Sequence, residues 1–176
     1  MKKEGLGLVQ VYTGDGKGKT TAALGLALRA AGHGLRTYIG QFMKGQDYGE
    51  LEAIKRLSPL ITIEQFGQPG FVHVKQATPK DVALAHAGLE RVRQALHSGE
   101  YDIVVMDEIN VALFFELLTV DEVLSVIEGR PPGVELVLTG RRVPEEIIAH
   151  ADLVTEMREI KHPFQRGITA RRGIEY

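Results

Sequence analysis

A glycine- and lysine-rich segment constrains the fold of this chain most. It has the sequence TGDGKGKTT from Thr13 to Thr21, after the apolar stretch 6–12 and before the alanine- and leucine-rich stretch 22–31. Its glycines let the backbone adopt conformations closed to other residues, so successive amide N–H groups can point inward around a polyphosphate. A following helix would present its N-terminus, with about half a positive charge, to the same anion. The segment therefore predicts a strand, a glycine turn and a helix that together cradle a nucleotide triphosphate.

Each polar residue of this loop has a predicted role. Lys19 is placed to reach the outer phosphates, and the Thr20 hydroxyl is placed to ligate a Mg²⁺ ion that bridges them. The match to G-x-x-x-x-G-K-[ST] is not literal, because Thr13 fills the slot of the first glycine and Gly14 follows it. A glycine turn without a ligand is the alternative, but Lys17 beside Lys19 favours a highly charged anion. The residues predicted to bind the nucleotide are Thr13, Gly14, Asp15, Gly16, Lys17, Gly18, Lys19, Thr20 and Thr21.

Strand and helix patterns alternate along the rest of the chain. Apolar, β-branched stretches predict strands at 6–13, 36–42, 61–66, 101–106, 135–139 and 153–160. Helical patterns fall at 19–31, 49–57, 79–97, 111–117, 120–129 and 144–150. This alternation predicts an α/β fold of the P-loop NTPase type, a mostly parallel sheet with helices on both faces, in one domain over 1–176. Ligands of such sheets bind at the carboxyl ends of the strands.

Two strand ends carry further candidate residues. Asp107 and Glu108 follow the apolar strand 101–106, where a P-loop protein needs carboxylates for Mg²⁺. An exposed acidic turn that caps the next helix is the alternative, and the sequence leaves open which acid is the metal ligand. Arg141 follows the strand 135–139 and can neutralise charge on the phosphates, or it can lie in a solvated basic turn.

Composition excludes several classes of protein. The chain has no cysteine, which rules out disulfides and thiolate catalysis. Its net charge of -2 argues against general nucleic-acid binding. No stretch approaches the roughly 18 consecutive apolar residues of a membrane span. We expect a cytoplasmic protein without a membrane or nucleic-acid partner.

The ordered set of motifs resembles one family, the P-loop ATP:corrinoid adenosyltransferases, from about Val9 to Tyr176. The motifs are TGDGKGKTTAA at 13–23, AAGHG at 30–34, QFMKG at 41–45, GF at 70–71, DE at 107–108, TGR at 139–141, KHPF at 161–164 and GIEY at 173–176. The resemblance implies that cobalt(I) of a reduced corrinoid attacks the ribose 5′-carbon of ATP and that triphosphate leaves. It implies Lys19, Lys17, Arg141 and Glu108 as catalytic residues, and Thr20, Asp107 and Glu108 as Mg²⁺ ligands.

The resemblance also implies a corrinoid site and partners. Gln41, Phe42, Lys44 and Phe71 would line the corrin, with His73 where relatives often carry a second aromatic residue. A reduced flavoprotein is the implied electron donor, and a homodimer is the implied assembly. A nucleoside or nucleotide kinase and an ATP-dependent binding switch are the two alternative functions.

Overall fold

A computed structural model describes residues 5–69 and 77–176 of the chain. The predicted corrin-lining residues Phe71 and His73 lie outside the described residues. Among the described residues, no helix has the length and apolar character that a bilayer crossing requires.

One parallel sheet of six strands organises the described residues, in the order β3-β2-β4-β5-β1-β6. All five strand pairs are parallel. The strands are β1 Val9–Thr13, β2 Thr37–Phe42, β3 Ile61–Phe66, β4 Ile103–Asp107, β5 Glu135–Thr139 and β6 Leu153–Glu156. Since β5 lies between β1 and β4, the carboxyl ends of these three strands meet at one edge, directly above the predicted nucleotide site.

Helices cover both faces of this sheet, as the alternating pattern predicted. They are α1 Lys19–Ala31, α2 Gly49–Lys55, α3 Pro79–His97, α4 Ile109–Phe114, α5 Val120–Glu128 and α6 Glu145–Ala149, followed by the short 3-10 helix Pro163–Arg166. One core joins α3, α4, α5 and α6 to inward residues such as Val104 and Met106. The other joins α1 and α2 to Ile103 and Val105. Strand β4 therefore sends alternate side chains into two cores, which explains its uniformly apolar sequence.

Local signals fix several element boundaries. Helix α3 begins after Thr78, whose hydroxyl accepts the N–H of Asp81 while the Asp81 carboxylate accepts the N–H of Thr78. Thr119 and Glu122 form the same reciprocal pair at α5. Several ends differ from the sequence prediction: β1 begins at Val9 and not at Leu6, β4 begins at Ile103 and not at Tyr101, and α4 lies at Ile109–Phe114 and not at 111–117. Strand β4 extends to Asp107, and β6 stops at Glu156, after which the chain turns under the glycine loop.

Candidate nucleotide-binding site

The glycine loop between β1 and α1 packs against the chain that follows β6. The Gly16 N–H donates to the Met157 carbonyl at 2.7 Å, and the Met157 N–H donates to the Thr13 carbonyl at 2.8 Å. Gly14 and Gly18 have φ of 93° and 124°, a region that L side chains rarely adopt. A Cβ on Gly14 would collide with the Met157 carbonyl oxygen, and one on Gly16 would lie 2.7 Å from it. The glycines thus allow close contact on the outer side of the loop as well as the predicted amide nest inside.

Lys19 spans the interior of the loop from the first turn of α1. Its ammonium donates to the carbonyl oxygens of Gly14 at 2.6 Å and Gly16 at 2.7 Å. The side chain is buried, and burial lowers the pKa of Lys19 below its ordinary value, although Glu108 opposes this with its charge. The loop therefore holds a desolvated cation at its centre, where a phosphate oxygen can replace the two carbonyls as a stronger partner.

Asp107 is the centre of a buried hydrogen-bond network at the end of β4. Its Oδ1 accepts the hydroxyls of Thr139 at 2.7 Å and Thr20 at 2.9 Å. Its Oδ2 accepts the Lys44 ammonium at 2.8 Å and the Gln41 amide at 3.2 Å. The Asp107 side chain is fully buried, and its bonds to Thr139 and Gln41 form away from water, whereas those to Thr20 and Lys44 are partly buried. The network joins α1, β2, β4 and β5 into one rigid site.

Lys44 directs its ammonium into this network. The Nζ atom also lies 3.1 Å from the Thr20 hydroxyl oxygen and 5.4 Å from the Tyr48 ring centroid. Burial lowers the pKa of Lys44, but the charge and hydrogen bond of Asp107 outweigh burial, so the pKa lies above its ordinary value. Lys44 is therefore charged at neutral pH, and it contacts the predicted metal ligands.

Glu108 occupies an unusual backbone conformation next to this network. Its φ of 62° and ψ of 19° are left-handed, and its N–H donates to the Thr139 hydroxyl at 2.9 Å. Burial raises the pKa of Glu108, as does the neighbouring Asp107 charge, whereas Lys44 and Lys19 lower it. A non-glycine residue held in this conformation is characteristic of functional sites, where the surroundings determine the backbone.

The remaining predicted residues lie at the rim or in the core. Lys17 donates to the Ile174 carbonyl at 3.0 Å and lies 3.6 Å from the Glu175 carboxylate. Arg141 lies 3.9 Å from the exposed Asp15. Phe42 is fully buried, and its ring centroid lies 6.1 Å from that of Phe66. The structure brings together six predicted residues at the centre of the site: Lys19, Thr20, Gln41, Lys44, Asp107 and Glu108.

Two features of the site were not predicted from the sequence. Thr139 holds Asp107 and the Glu108 backbone together, a role that the TGR motif at 139–141 did not indicate. Its place at the end of β5 was the available signal, because β5 separates the P-loop strand from the acid-bearing strand. Lys44 was placed on the corrin side, whereas its ammonium contacts Asp107 and Thr20. A long side chain on a loop gives no sequence signal for its direction.

The donor set fits Mg²⁺. Thr20 and Asp107 offer hydroxyl and carboxylate oxygens, the ligand type that this ion prefers, and Glu108 is the adjacent acid. Within 5–69 and 77–176, no cluster of three or more His, Cys, Asp or Glu side chains could hold a metal ion. A Mg²⁺ ion bound with a nucleotide does not require such a cluster, since phosphate oxygens and water complete its shell.

The glycine loop, the hydroxyl of Thr20 and the buried acid at the end of a nearby parallel strand define a P-loop nucleotide-binding α/β protein. The family described as ATP:corrinoid adenosyltransferase BtuR/CobO/CobP matches residues 5–176, and the chain belongs to this family.

Curated relatives carry the same description. The chain is 39% identical over 178 residues to a corrinoid adenosyltransferase of Sinorhizobium sp, covering 99% of this chain and 83% of the relative. It is 37% identical to a corrinoid adenosyltransferase of Pseudomonas aeruginosa, with coverages of 97% and 84%. It is also 37% identical to corrinoid adenosyltransferase CobA of Salmonella typhimurium, with coverages of 99% and 88%. The predicted family, fold and adenosyltransferase activity are confirmed, and the kinase and switch alternatives are set aside.

Proposed function

We propose that the carboxyl edge of the sheet binds ATP with its triphosphate in the glycine loop and its ribose 5′-carbon facing the cobalt of a reduced corrinoid. The observation that carries this assignment is the 2.9 Å contact between the Thr20 hydroxyl and the buried Asp107 carboxylate, immediately beside the loop. In P-loop proteins a hydroxyl and an acid so arranged hold the metal of a bound triphosphate.

The reaction transfers carbon, not a phosphoryl group. An electron pair on cobalt(I) forms the new bond to the 5′-carbon while the carbon–oxygen bond breaks, and its electron pair departs with the triphosphate. The loop amides and Lys19 stabilise that departing charge more strongly than they stabilise ATP, which is the differential binding that accelerates a reaction. Lys17 and Arg141 at the rim add positive charge. No base is needed at the γ-phosphate, which suits a network whose acid, Asp107, is already saturated with donors.

Thr20, Asp107 and Glu108 would hold a Mg²⁺ ion here, and such an ion would neutralise part of the triphosphate charge. The chain's own contribution is to keep these oxygens in place. Thr139 performs this task from β5, since its hydroxyl donates to Asp107 and accepts from the Glu108 backbone.

The corrinoid side of the proposal depends on the family resemblance. Phe71 and His73 would contact the corrin, and Lys44 would lie at the border between corrin and nucleotide. Gln41 and Phe42 are fully buried, so they would support the corrin wall and not contact the corrin themselves. The substrate would be complete cobalamin or an earlier corrinoid. A reduced flavoprotein donor, a homodimer, a cytoplasmic location and a single domain over 1–176 belong to the same proposal.

Product analysis tests the nucleotide assignment. With ATP, Mg²⁺, a chemical reductant and cob(II)alamin, we expect adenosylcobalamin and intact triphosphate in equal amounts. Thr20→Val should raise the Mg²⁺ concentration that gives the half-maximal rate of this reaction. Thr155→Val, on the exposed strand β6, should leave that concentration unchanged. Release of ADP, or equal Mg²⁺ dependence in both variants, would contradict the assignment.

A further inference from the structure

The ammonium of Lys44 stands where the proposed metal ion would bind. Its Nζ atom lies 2.8 Å from the Asp107 carboxylate and 3.1 Å from the Thr20 hydroxyl oxygen. These are two of the three residues proposed to ligate Mg²⁺. A cation that contacts both ligand groups at hydrogen-bond distance leaves no room between them for a second cation, so Lys44 and a metal ion exclude each other.

The backbone around Lys44 fixes this position. Met43, directly before it, has a left-handed φ of 58°, and its N–H donates to the Phe66 carbonyl at 3.1 Å. Gly67 lies so close that a Cβ there would be 2.5 Å from the Lys44 nitrogen. A Cβ on Gly45 would likewise collide with the Gly67 carbonyl oxygen. The end of β3 therefore packs tightly against the Lys44 backbone and fixes its position. The lysine side chain is only 14% exposed, and its ammonium contacts Asp107.

Charge balance makes the exclusion selective. Asp107 is fully buried, and Lys44 is the cation that contacts its carboxylate among the described residues. A free divalent ion that displaced Lys44 would add positive charge to the site and bring no negative charge to balance it. A triphosphate brings several negative charges with the metal, so the displaced ammonium gains a new partner at once.

We propose that Lys44 holds the metal position in the nucleotide-free enzyme and keeps divalent cations out until a triphosphate arrives. The inference rests on the proposed metal site at Thr20 and Asp107. It makes Lys44 a positioning residue, which enforces joint entry of metal and nucleotide.

Binding of Mn²⁺ alone tests the inference without any turnover. Free Mn²⁺ is measured by its electron paramagnetic resonance signal, with no nucleotide present. Lys44→Met should bind Mn²⁺ at least about tenfold more tightly than the wild-type enzyme. Lys44→Arg keeps the cation and should bind as weakly as wild type. Lys55→Met, which removes an exposed lysine of α2 at 72% exposure, is the matched control for lost charge. Adding Asp107→Asn to Lys44→Met should abolish the gain.

Two outcomes separate this inference from the metal site on which it rests. If Lys44→Met binds free Mn²⁺ no better than Lys55→Met, while Thr20→Val still weakens Mn²⁺·ATP binding, the metal site stands and the role of Lys44 is wrong. If Thr20→Val leaves Mn²⁺·ATP binding unchanged, the metal site itself is wrong. Thermal melting checks that each variant folds, and Lys44→Gln replaces Lys44→Met if the latter does not.

Discussion

The two regions that hold the glycine loop differ in how they do so. The inner side is the hydrogen-bond network around Asp107, in which Thr139 and Gln41 donate to the Asp107 carboxylate. All three residues are fully buried. On the outer side, the four residues of β6, which lead directly to Met157, are all exposed. Both regions nevertheless contact the loop. Burial excludes water from the inner contacts, so their loss should cost far more than loss of the outer contacts.

Removing the cation at the centre of the loop should have the largest effect. Lys19→Met deletes the group proposed to stabilise the departing triphosphate, so we expect kcat/KM to fall by about 10²–10³-fold. The measurement is adenosylcobalamin formation with prereduced cob(I)alamin, which isolates the transfer step. Lys80→Met, on the exposed start of α3, is the control and should retain full activity. A loss below about tenfold would show that Lys19 does not act on the leaving group.

A methyl group on the outer side of the loop tests packing instead of charge. Gly14→Ala combines a φ of 93° with a collision against the Met157 carbonyl. We expect the free energy of unfolding to fall by about 3 kcal/mol. Gly173 has a similar φ of 76°, but no atom lies within 4 Å of the added carbon. Gly173→Ala should therefore cost no more than about 1–2 kcal/mol. Equal losses in urea titrations would mean that Met157 yields to the added methyl.

The fold was predictable because its signals are local. The predicted bounds of α1, α3, β3 and β5 match the structure, since the glycine loop, the Thr78 cap and β-branched runs mark their ends. The end of β6 was placed too late. Its apolar pattern continues to Ile160, but the loop takes the Met157 backbone as a partner and ends the strand there.

The site was predictable only in part. Motif spacing identified Lys19, Thr20 and Asp107, which the structure brings together. The bridging role of Thr139 depends on strand order, since β5 must insert between β1 and β4 before Thr139 can reach Asp107. The direction of Lys44 depends likewise on β2 lying beside β4. Strand order comes from tertiary packing, which single-residue patterns do not encode.

The pH dependence of stability should reveal the partly buried acid Glu108. Burial raises the folded-state pKa of Glu108 above the ordinary 4.5. The protonated form is thus favoured by folding, and its stabilisation is present below pH 4.5 and lost as pH rises through the folded pKa. Glu108→Gln cannot ionise, so its free energy of unfolding should exceed that of wild type by an amount that grows from pH 4.5 up to the folded pKa and is constant above it. Each unit of pKa shift corresponds to about 1.4 kcal/mol.

Glu122 supplies the opposite control for that experiment. The Thr119 backbone hydrogen bond holds the pKa of Glu122 below its ordinary value, so the ionised form stabilises the fold. This stabilisation is lost as pH falls through the folded pKa. Glu122→Gln should therefore reduce stability at neutral pH, where Glu108→Gln increases it. Chemical denaturation at several pH values measures both. If both variants change the free energy of unfolding in the same direction at neutral pH, the Glu108 carboxylate is not desolvated.

The smallest effect is expected where the exposed carboxyl terminus contacts the loop. Lys17 is held by the Ile174 carbonyl and by Glu175, whose pKa falls to about 2 through the Arg171 hydrogen bond. Glu175→Gln releases part of this hold and frees the lysine for the triphosphate. We expect KM for ATP to fall by less than about fivefold, and the difference to shrink as salt is raised. Glu159→Gln, an exposed acid that accepts only from Gln165 among the described hydrogen bonds, is the control. An unchanged KM at low salt would mean that Lys17 acts only as an anchor for the terminus, and that the outer region contributes nothing to nucleotide binding.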